Sequence, residues 1–474
     1  MPPLRPAQLL VSLPEGAARA LWKGALWGRA SSTASAPAAV AAAPSAEAYD
    51  VIVVGAGIAG SCTAYELQKR GLKVALLEQH DFLHRRGSSH GESRIIRRTY
   101  PQAHLTEGMT YAYALWDSAQ REYGGSVFTR TGGVDFGVKD SAALRSLVAS
   151  GELHGVPHAH LTPEELEQRF PGYRIPAGFA AVYHADAGVL NATKACAMYQ
   201  DLARRRGALL VDRCRVLSVT PVDSGGVRVE TSSSSLHAGK VVMAAGAWTS
   251  KLLQGMGVDV RGALNAVPVA VSYWRCKDDA RALQLAAERC PVAIGYTGAG
   301  LGHAGPDAEQ AGAECYVLPV LELPGLVKVS LHLPEALWGP ALADPDMRDL
   351  TPPHAIVREH VAPFIKRHMP GVDVASGPVL VESCMCVTLP LDPPCLLTVA
   401  GAGRYTMTPD HDFLMDVLPN GRVFVCSACS GHGFKFAPLV GAVMADLATT
   451  GTSTRLGDMA RYRLSRLVNP RAKL

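Results

Sequence analysis

Long apolar runs are absent from this chain: none approaches the roughly 18 residues that a membrane span requires, so no membrane partner is expected. Net charge is scarce. The formal balance of +4 over 474 residues is small, and part of it sits before Ala30, which leaves no reason to expect a nucleic-acid partner. A disulfide framework is missing too, because the eleven cysteines are odd in number and scattered. The CxxC of Cys426 and Cys429 has no second pair to complete a zinc site, so it reads as core packing in a reducing compartment and no metal is expected. What is present, 48% hydrophobic and 19% charged residues, suits a two-domain globular protein with a sizeable core.

Both ends carry possible addresses. Residues 1–46 hold Arg5, Arg19, Lys23 and Arg29 against Glu15 and then pass into Ser and Ala. Leu21, Trp22, Ala25 and Leu26 share a helical face, so the segment reads either as a mitochondrial transit peptide or as a low-complexity leader without structure. The other end, Ala472-Lys473-Leu474, is a near variant of the Ser-Lys-Leu peroxisomal signal and follows the polar Asn469-Pro470-Arg471. It makes a peroxisomal import receptor the expected partner and the peroxisome the favoured compartment, with the mitochondrion as alternative.

The first ordered unit reads as strand, glycine turn, helix, strand and acid. Tyr49 to Val54 is an apolar, β-branched run, followed at once by Gly55-Ala56-Gly57-Ile58-Ala59-Gly60. Helical character from Cys62 to Arg70 stops at Gly71, and Lys73 to Leu77 forms a second strand ending in Glu78, eighteen residues after Gly60. In this context Gly55 makes the tight turn, Gly57 lets backbone approach a pyrophosphate, and Gly60 permits close helix–strand packing. The helix N-terminus offers N–H groups to phosphate, and Glu78 is placed to accept from a ribose. Gly300, Gly302 and Gly305 match the same spacing without a preceding strand, and they read as loop glycines.

Features further along favour FAD over a nicotinamide. Lys240 to Met243 is a strand running into Ala244-Ala245-Gly246-Ala247-Trp248, and Val423 to Ala428 is another, followed by Ser430-Gly431-His432-Gly433-Phe434-Lys435. Gly431 and Gly433 would bring backbone amides against a flavin. A cofactor site built from the beginning, middle and end of the chain requires a substrate domain interleaved between those pieces. Leu326 to His332 alternates so that Lys328 and Ser330 point one way and the valines the other, the pattern of a half-exposed strand. Arg97 stands beside Arg94 and Arg98 on a basic loop, where one reading of it is a surface charge. Lys435, alone between Phe434 and Phe436, must snorkel or find an anion.

The run Arg86-Gly87-Ser88-Ser89-His90-Gly91-Glu92-Ser93-Arg94-Ile95-Ile96-Arg97 resembles the flavin-proximal segment of the monomeric sarcosine oxidases and the peroxisomal sarcosine and L-pipecolate oxidases. Tyr405-Thr406-Met407-Thr408-Pro409-Asp410 and Ser430 to Phe436 are similar to two more signatures of that family, and the likeness extends from about Tyr49 to about Leu456. It implies an α/β fold with a doubly wound, Rossmann-like FAD domain and an interleaved, mainly antiparallel β-sheet substrate domain. The expected division is 47–126, 185–258 and 405–465 for FAD, and 127–184 and 259–404 for substrate, with 466–474 as a tail. The resemblance makes Arg97 and Lys435 the carboxylate binders, Lys328 the oxygen-activating lysine and His332 an active-site histidine. Tyr316 and Tyr405 become pocket tyrosines, and His90 and Arg94 flavin neighbours.

The same likeness implies FAD held covalently through Cys384. In the family pattern the Tyr-Thr segment follows the Cys-Met pair directly, whereas here 386–404 intervenes as an apparent insertion whose prolines and glycines suit a loop. The implied activity is oxidation of a small secondary amino acid, L-pipecolate, sarcosine or L-proline, to an imine, with oxygen reduced to hydrogen peroxide by a monomer. Peroxide release suits a peroxisome. Competing readings are a flavin dehydrogenase passing electrons to another acceptor and an FAD-binding protein impaired by the insertion.

Overall fold

The computed structural model describes residues 48–223, 225–260, 264–268, 270–296, 314–332, 346, 357–383, 404–407, 412–427 and 430–467. Gly300, Gly302, Gly305, Cys384, Cys429, the 386–403 segment and Ala472-Lys473-Leu474 lie outside the described residues.

The β-branched run Tyr49–Val54 forms β1, the helix Ile58–Lys69 is α1, and Val74–Leu77 is β2. The helix begins at Ile58 instead of Cys62, because Gly57 takes an extended cap conformation and the chain turns helical directly after it. Gly71, at φ 78°, ends it as expected. β1 pairs in parallel with β2 on one side and with β3 (Ser235–Met243) on the other. Strands buried on both faces need no alternation, and β1 is accordingly apolar almost throughout.

β3 is longer than the Lys240–Met243 core read from sequence. Its first half alternates exposed and buried residues while pairing antiparallel with Val227–Thr231. Its last three residues are continuously buried against β4 (Val423–Ser427), which runs parallel. Val51 and Val53 face a cluster with α1 and with α2 (Ala437–Thr450). Ile52 and Val54 face another, with Val216, Val229 and Leu253.

A second sheet takes its strands in the order Leu380–Ser383, Ala270–Arg275, Leu326–His332, Glu314–Leu318, Val292–Tyr296, Gly133–Val138, Phe179–His184 and Ala159–Leu161. Its pairings are antiparallel apart from Val292–Tyr296 against Gly133–Val138. The strand Leu326–His332 departs from its alternating pattern: Val327 to Leu331 are all buried, Lys328 and Ser330 included. Its polar face meets other polar groups where solvent was expected. A small sheet of Arg94–Ile96, Gly188–Leu190 and Phe128–Arg130 carries the basic segment between the two larger sheets' residues in sequence and fixes Arg97 just past its end. No helix among the described residues is long and apolar enough to cross a membrane.

α1 and α2 touch where Gly441 has no side chain, and a Cβ there would lie 2.6 Å from the carbonyl carbon of Cys62. Gly441→Ala is therefore expected to lower unfolding free energy by about 1–3 kcal/mol in urea titration. Gly255→Ala, in a short helix with open space around its Cβ, should cost nothing or stabilise slightly. Equal midpoints for the two variants would show that the close helix contact carries no such constraint.

Candidate functional site

At the end of β1 the chain turns through Gly55, at φ 101°, whose N–H donates to the Leu77 carbonyl at 2.7 Å. A Cβ on Gly55 would lie 2.5 Å from the Ala244 carbonyl oxygen, and one on Gly60 would lie 1.9 Å from the Gly55 oxygen. Both positions are closed to any side chain. The turn delivers the Ala56 N–H to Glu78 Oε2 at 3.0 Å, while the other oxygen of Glu78 accepts from the His80 N–H at 3.0 Å. Burial pushes the Glu78 carboxyl up. The neighbouring His84, 3.3 Å away, and the two amides outweigh that and hold it below the ordinary carboxylate value.

A long cleft starts at Glu78 and follows the glycine turn to the C-terminal segment. Gly55, Gly57, Glu78, His90, Arg94, Gly246, Gly431 and Gly433 all line it, so residues far apart in sequence share one groove. Gly60 packs behind the lining. Sequence reasoning passed over Ser89, whose hydroxyl accepts from the Ile58 N–H at 3.0 Å and so caps the first turn of α1. Its place inside the basic motif was the available signal.

His90 is an imidazole held neutral. Burial, and after it the charges of Arg94, Arg85, Lys328 and His84, push it down to about 3, and its buried Nε2 has no hydrogen-bond partner among the described residues. An orphaned polar atom on a cleft wall is what a bound polar ring would satisfy. Arg94 braces the loop, donating to the carbonyls of His90 at 2.8 Å and Ser88 at 3.0 Å. The residues present thus fit FAD: a glycine turn open to phosphate, an acid for ribose, and a neutral donor–acceptor beside the C-terminal glycines. Cys196 shares the lining, but burial pushes its thiol up to about 12, which keeps it protonated and unreactive.

The cations of the proposed substrate site do not line this cleft and are drawn together by tyrosines and acids. Arg97 is 4% exposed, correcting the alternative of a surface charge. Its Nη1 meets Asp135 Oδ1 at 2.5 Å and the Tyr296 hydroxyl at 2.9 Å. Asp135 also receives Thr99 at 3.1 Å and His184 at 2.8 Å. Burial raises that carboxyl, and Arg97 with His184 and Thr99 pull it down past its ordinary value. Tyr100 joins the two predicted carboxylate binders: the Arg97 guanidinium stands 4.4 Å from its ring centre, and Lys435 Nζ donates to its hydroxyl at 2.8 Å. Neither Asp135 nor Tyr100 was legible as a site residue, since each acquires meaning only through its partner.

Lys328 is 7% exposed and donates to Ser93 at 2.9 Å. Glu322 lies 3.3 Å from it. Tyr316 stands opposite Ser330 in the neighbouring strand and packs with Ile95 and Ile294. His332 ends the Lys328 strand, two pairs further along. Tyr405 is described by its backbone, which pairs with Val267, and Cys384 lies outside the described residues. Among the described residues no group of three His, Cys, Asp or Glu is arranged to hold a metal.

The family described as FAD dependent oxidoreductase matches residues 50–447. A probable sarcosine oxidase of Arabidopsis thaliana is 36% identical over 408 residues, 84% of this chain and 88% of that protein. The peroxisomal sarcosine oxidase of Homo sapiens is 34% identical over 424 residues, 88% of this chain and 96% of its own. Among solved structures, NikD, described as an unusual amino acid oxidase essential for nikkomycin biosynthesis, shares the fold with a TM-score of 0.69 at 24% identity, covering 88% of this chain and 97% of its own. With the βαβ turn, the glycine-lined cleft and these relatives in agreement, the chain belongs to the FAD-dependent oxidoreductase family, in the group of the sarcosine oxidases.

Proposed function

We propose that this protein oxidises a small secondary amino acid, L-pipecolate, sarcosine or L-proline, and passes the electrons to oxygen as a monomer. The observation that carries the reading is the convergence of Arg97 and Lys435 on Tyr100, beside a segment whose Arg94 and His90 line the cofactor cleft. A buried guanidinium and a half-buried ammonium together suit an anionic substrate group, because charge-assisted hydrogen bonds gain strength where water is largely excluded. Bound FAD would take a hydride equivalent from the C–H beside the amine nitrogen.

The chain's residues would do the rest. Arg97 and Lys435 hold the carboxylate, and Tyr100 fixes their spacing. Asp135 keeps the guanidinium oriented. His90, neutral at physiological pH, accepts a hydrogen bond without lending a proton to the amine. Lys328 supplies a fixed charge for oxygen reduction, and Tyr316, Tyr405 and His332 close the pocket. The division into 47–126, 185–258 and 405–465 against 127–184 and 259–404 belongs to the same proposal. It is supported by the two sheets, which draw on those segments separately. The peroxisome, reached through Ala472-Lys473-Leu474, is the compartment in which released peroxide is tolerated.

Mixed without oxygen with a panel of secondary amino acids, the purified yellow protein should bleach, and on admission of air it should regain colour with release of hydrogen peroxide. Reduction without peroxide release would instead identify a dehydrogenase. Acid precipitation of the same sample should leave the colour in the pellet, and Cys384→Ala should free it; flavin that washes out of the unaltered chain would rule out the thioether. Lys435→Met and Arg97→Met should each weaken a simple carboxylate inhibitor by about 1.5–3 kcal/mol in spectral titration, and unchanged affinity in both would remove the clamp. A tagged chain lacking its last three residues should leave the peroxisome for the cytosol, and undisturbed import would discard that address.

A further inference from the structure

We propose that Glu322 restrains the reaction with oxygen by compensating the charge of Lys328, making it a positioning residue for the oxidative half of the reaction. The inference rests on the reading of Lys328 given above. It concerns a residue that neither the alternation of the strand nor the family likeness singled out.

Glu322 is held in place from several directions. The Tyr273 hydroxyl donates to its Oε2 at 2.8 Å, and the Ser93 hydroxyl donates to its Oε1. Lys328 Nζ stands 3.3 Å from Oε1 and 2.9 Å from the same Ser93 hydroxyl. Tyr273 lies directly opposite Lys328 in the paired strand, and its ring centre is 5.4 Å from the ammonium. The carboxylate is therefore fixed against the lysine by the sheet itself and by the basic segment. Ser93 immediately precedes Arg94, which lines the cofactor cleft, and the charge of Lys328 acts on His90 of the same lining, so the pair lies just behind that wall.

Oxygen becomes hydrogen peroxide by taking two electrons and two protons from the reduced cofactor, and negative charge appears on it with the first electron. A preorganised cation lowers the energy of that charge. A fixed anion 3.3 Å from the cation opposes most of this field at the distance of a second reactant. Glu322 thus acts on the acceptor side while leaving the C–H oxidation, which needs no such charge, untouched.

The test uses the full-length FAD-containing protein and Glu322→Gln, which keeps the shape and the acceptor for Tyr273 while removing the charge. With the flavin reduced by dithionite, so that no amine substrate is required, mixing with oxygen should give reoxidation about tenfold faster or more in Glu322→Gln. Sulfite, an anion that bleaches the oxidised flavin, should bind the same variant about tenfold more tightly by absorbance titration. Both gains should vanish when Lys328→Met is also present. Glu322→Asp, which withdraws the carboxylate by one methylene, should fall between and serves if Glu322→Gln does not fold. Unchanged or slower reoxidation, unchanged sulfite affinity, or gains that survive in Lys328→Met would each overturn the proposal. A protein that no amino acid reduces, but whose sulfite affinity and reoxidation shift as stated, would refute the substrate reading and leave this one standing.

Discussion

The close approach of three backbone segments at Gly55 is the constraint on which the rest depends. β1 ends just before it, α1 begins three residues after it at Ile58, Gly60 closes against its carbonyl, and the Ala244 carbonyl sits where a side chain would be. Only hydrogen atoms fit in these spaces. Because β3 and β4 continue the same parallel sheet, the loops that follow them, at Gly246 and at Gly431 to Gly433, are delivered to the same end of the sheet as the glycine turn. Cofactor cleft and sheet are one piece of geometry. Ligands at the carboxyl ends of parallel strands follow from this arrangement.

Around that frame the molecule buries cations and neutralises them locally. A guanidinium or ammonium taken out of water costs several kcal/mol unless an anion and hydrogen bonds accompany it. Arg97 has Asp135, and Lys328 has Glu322. The two pairs differ in surroundings. Asp135 is enclosed by Arg97, His184, Thr99 and Tyr296, whose contacts occupy both of its oxygens. Glu322 is tied to hydroxyls, and hydroxyl donors stabilise a carboxylate without cancelling its charge. The first arrangement orients a cation; the second tempers one. His90 completes the pattern as a group kept neutral by burial and, after it, by the positive charges around it.

What the sequence by itself determined were the features encoded in adjacent residues. The βαβ turn, Gly55 and Gly60, the acid Glu78, and the strands Leu326–His332 and Val423–Ser427 were legible because periodicity and glycine spacing are local properties. Their neighbours resembled a family closely enough to name FAD. Tertiary structure decided which face of a strand stays dry. Alternation put Lys328 on a wet face, but the packing of the neighbouring strand and the basic segment made that face an enclosed polar cluster. Tertiary structure also chose the partners: Asp135 lies 38 residues from Arg97, Ser93 lies 235 from Lys328, and Tyr100 lies 335 from Lys435. No local pattern specifies such pairs, because the energy that selects them is the cost of leaving a buried charge alone, and that cost exists only once the chain has folded.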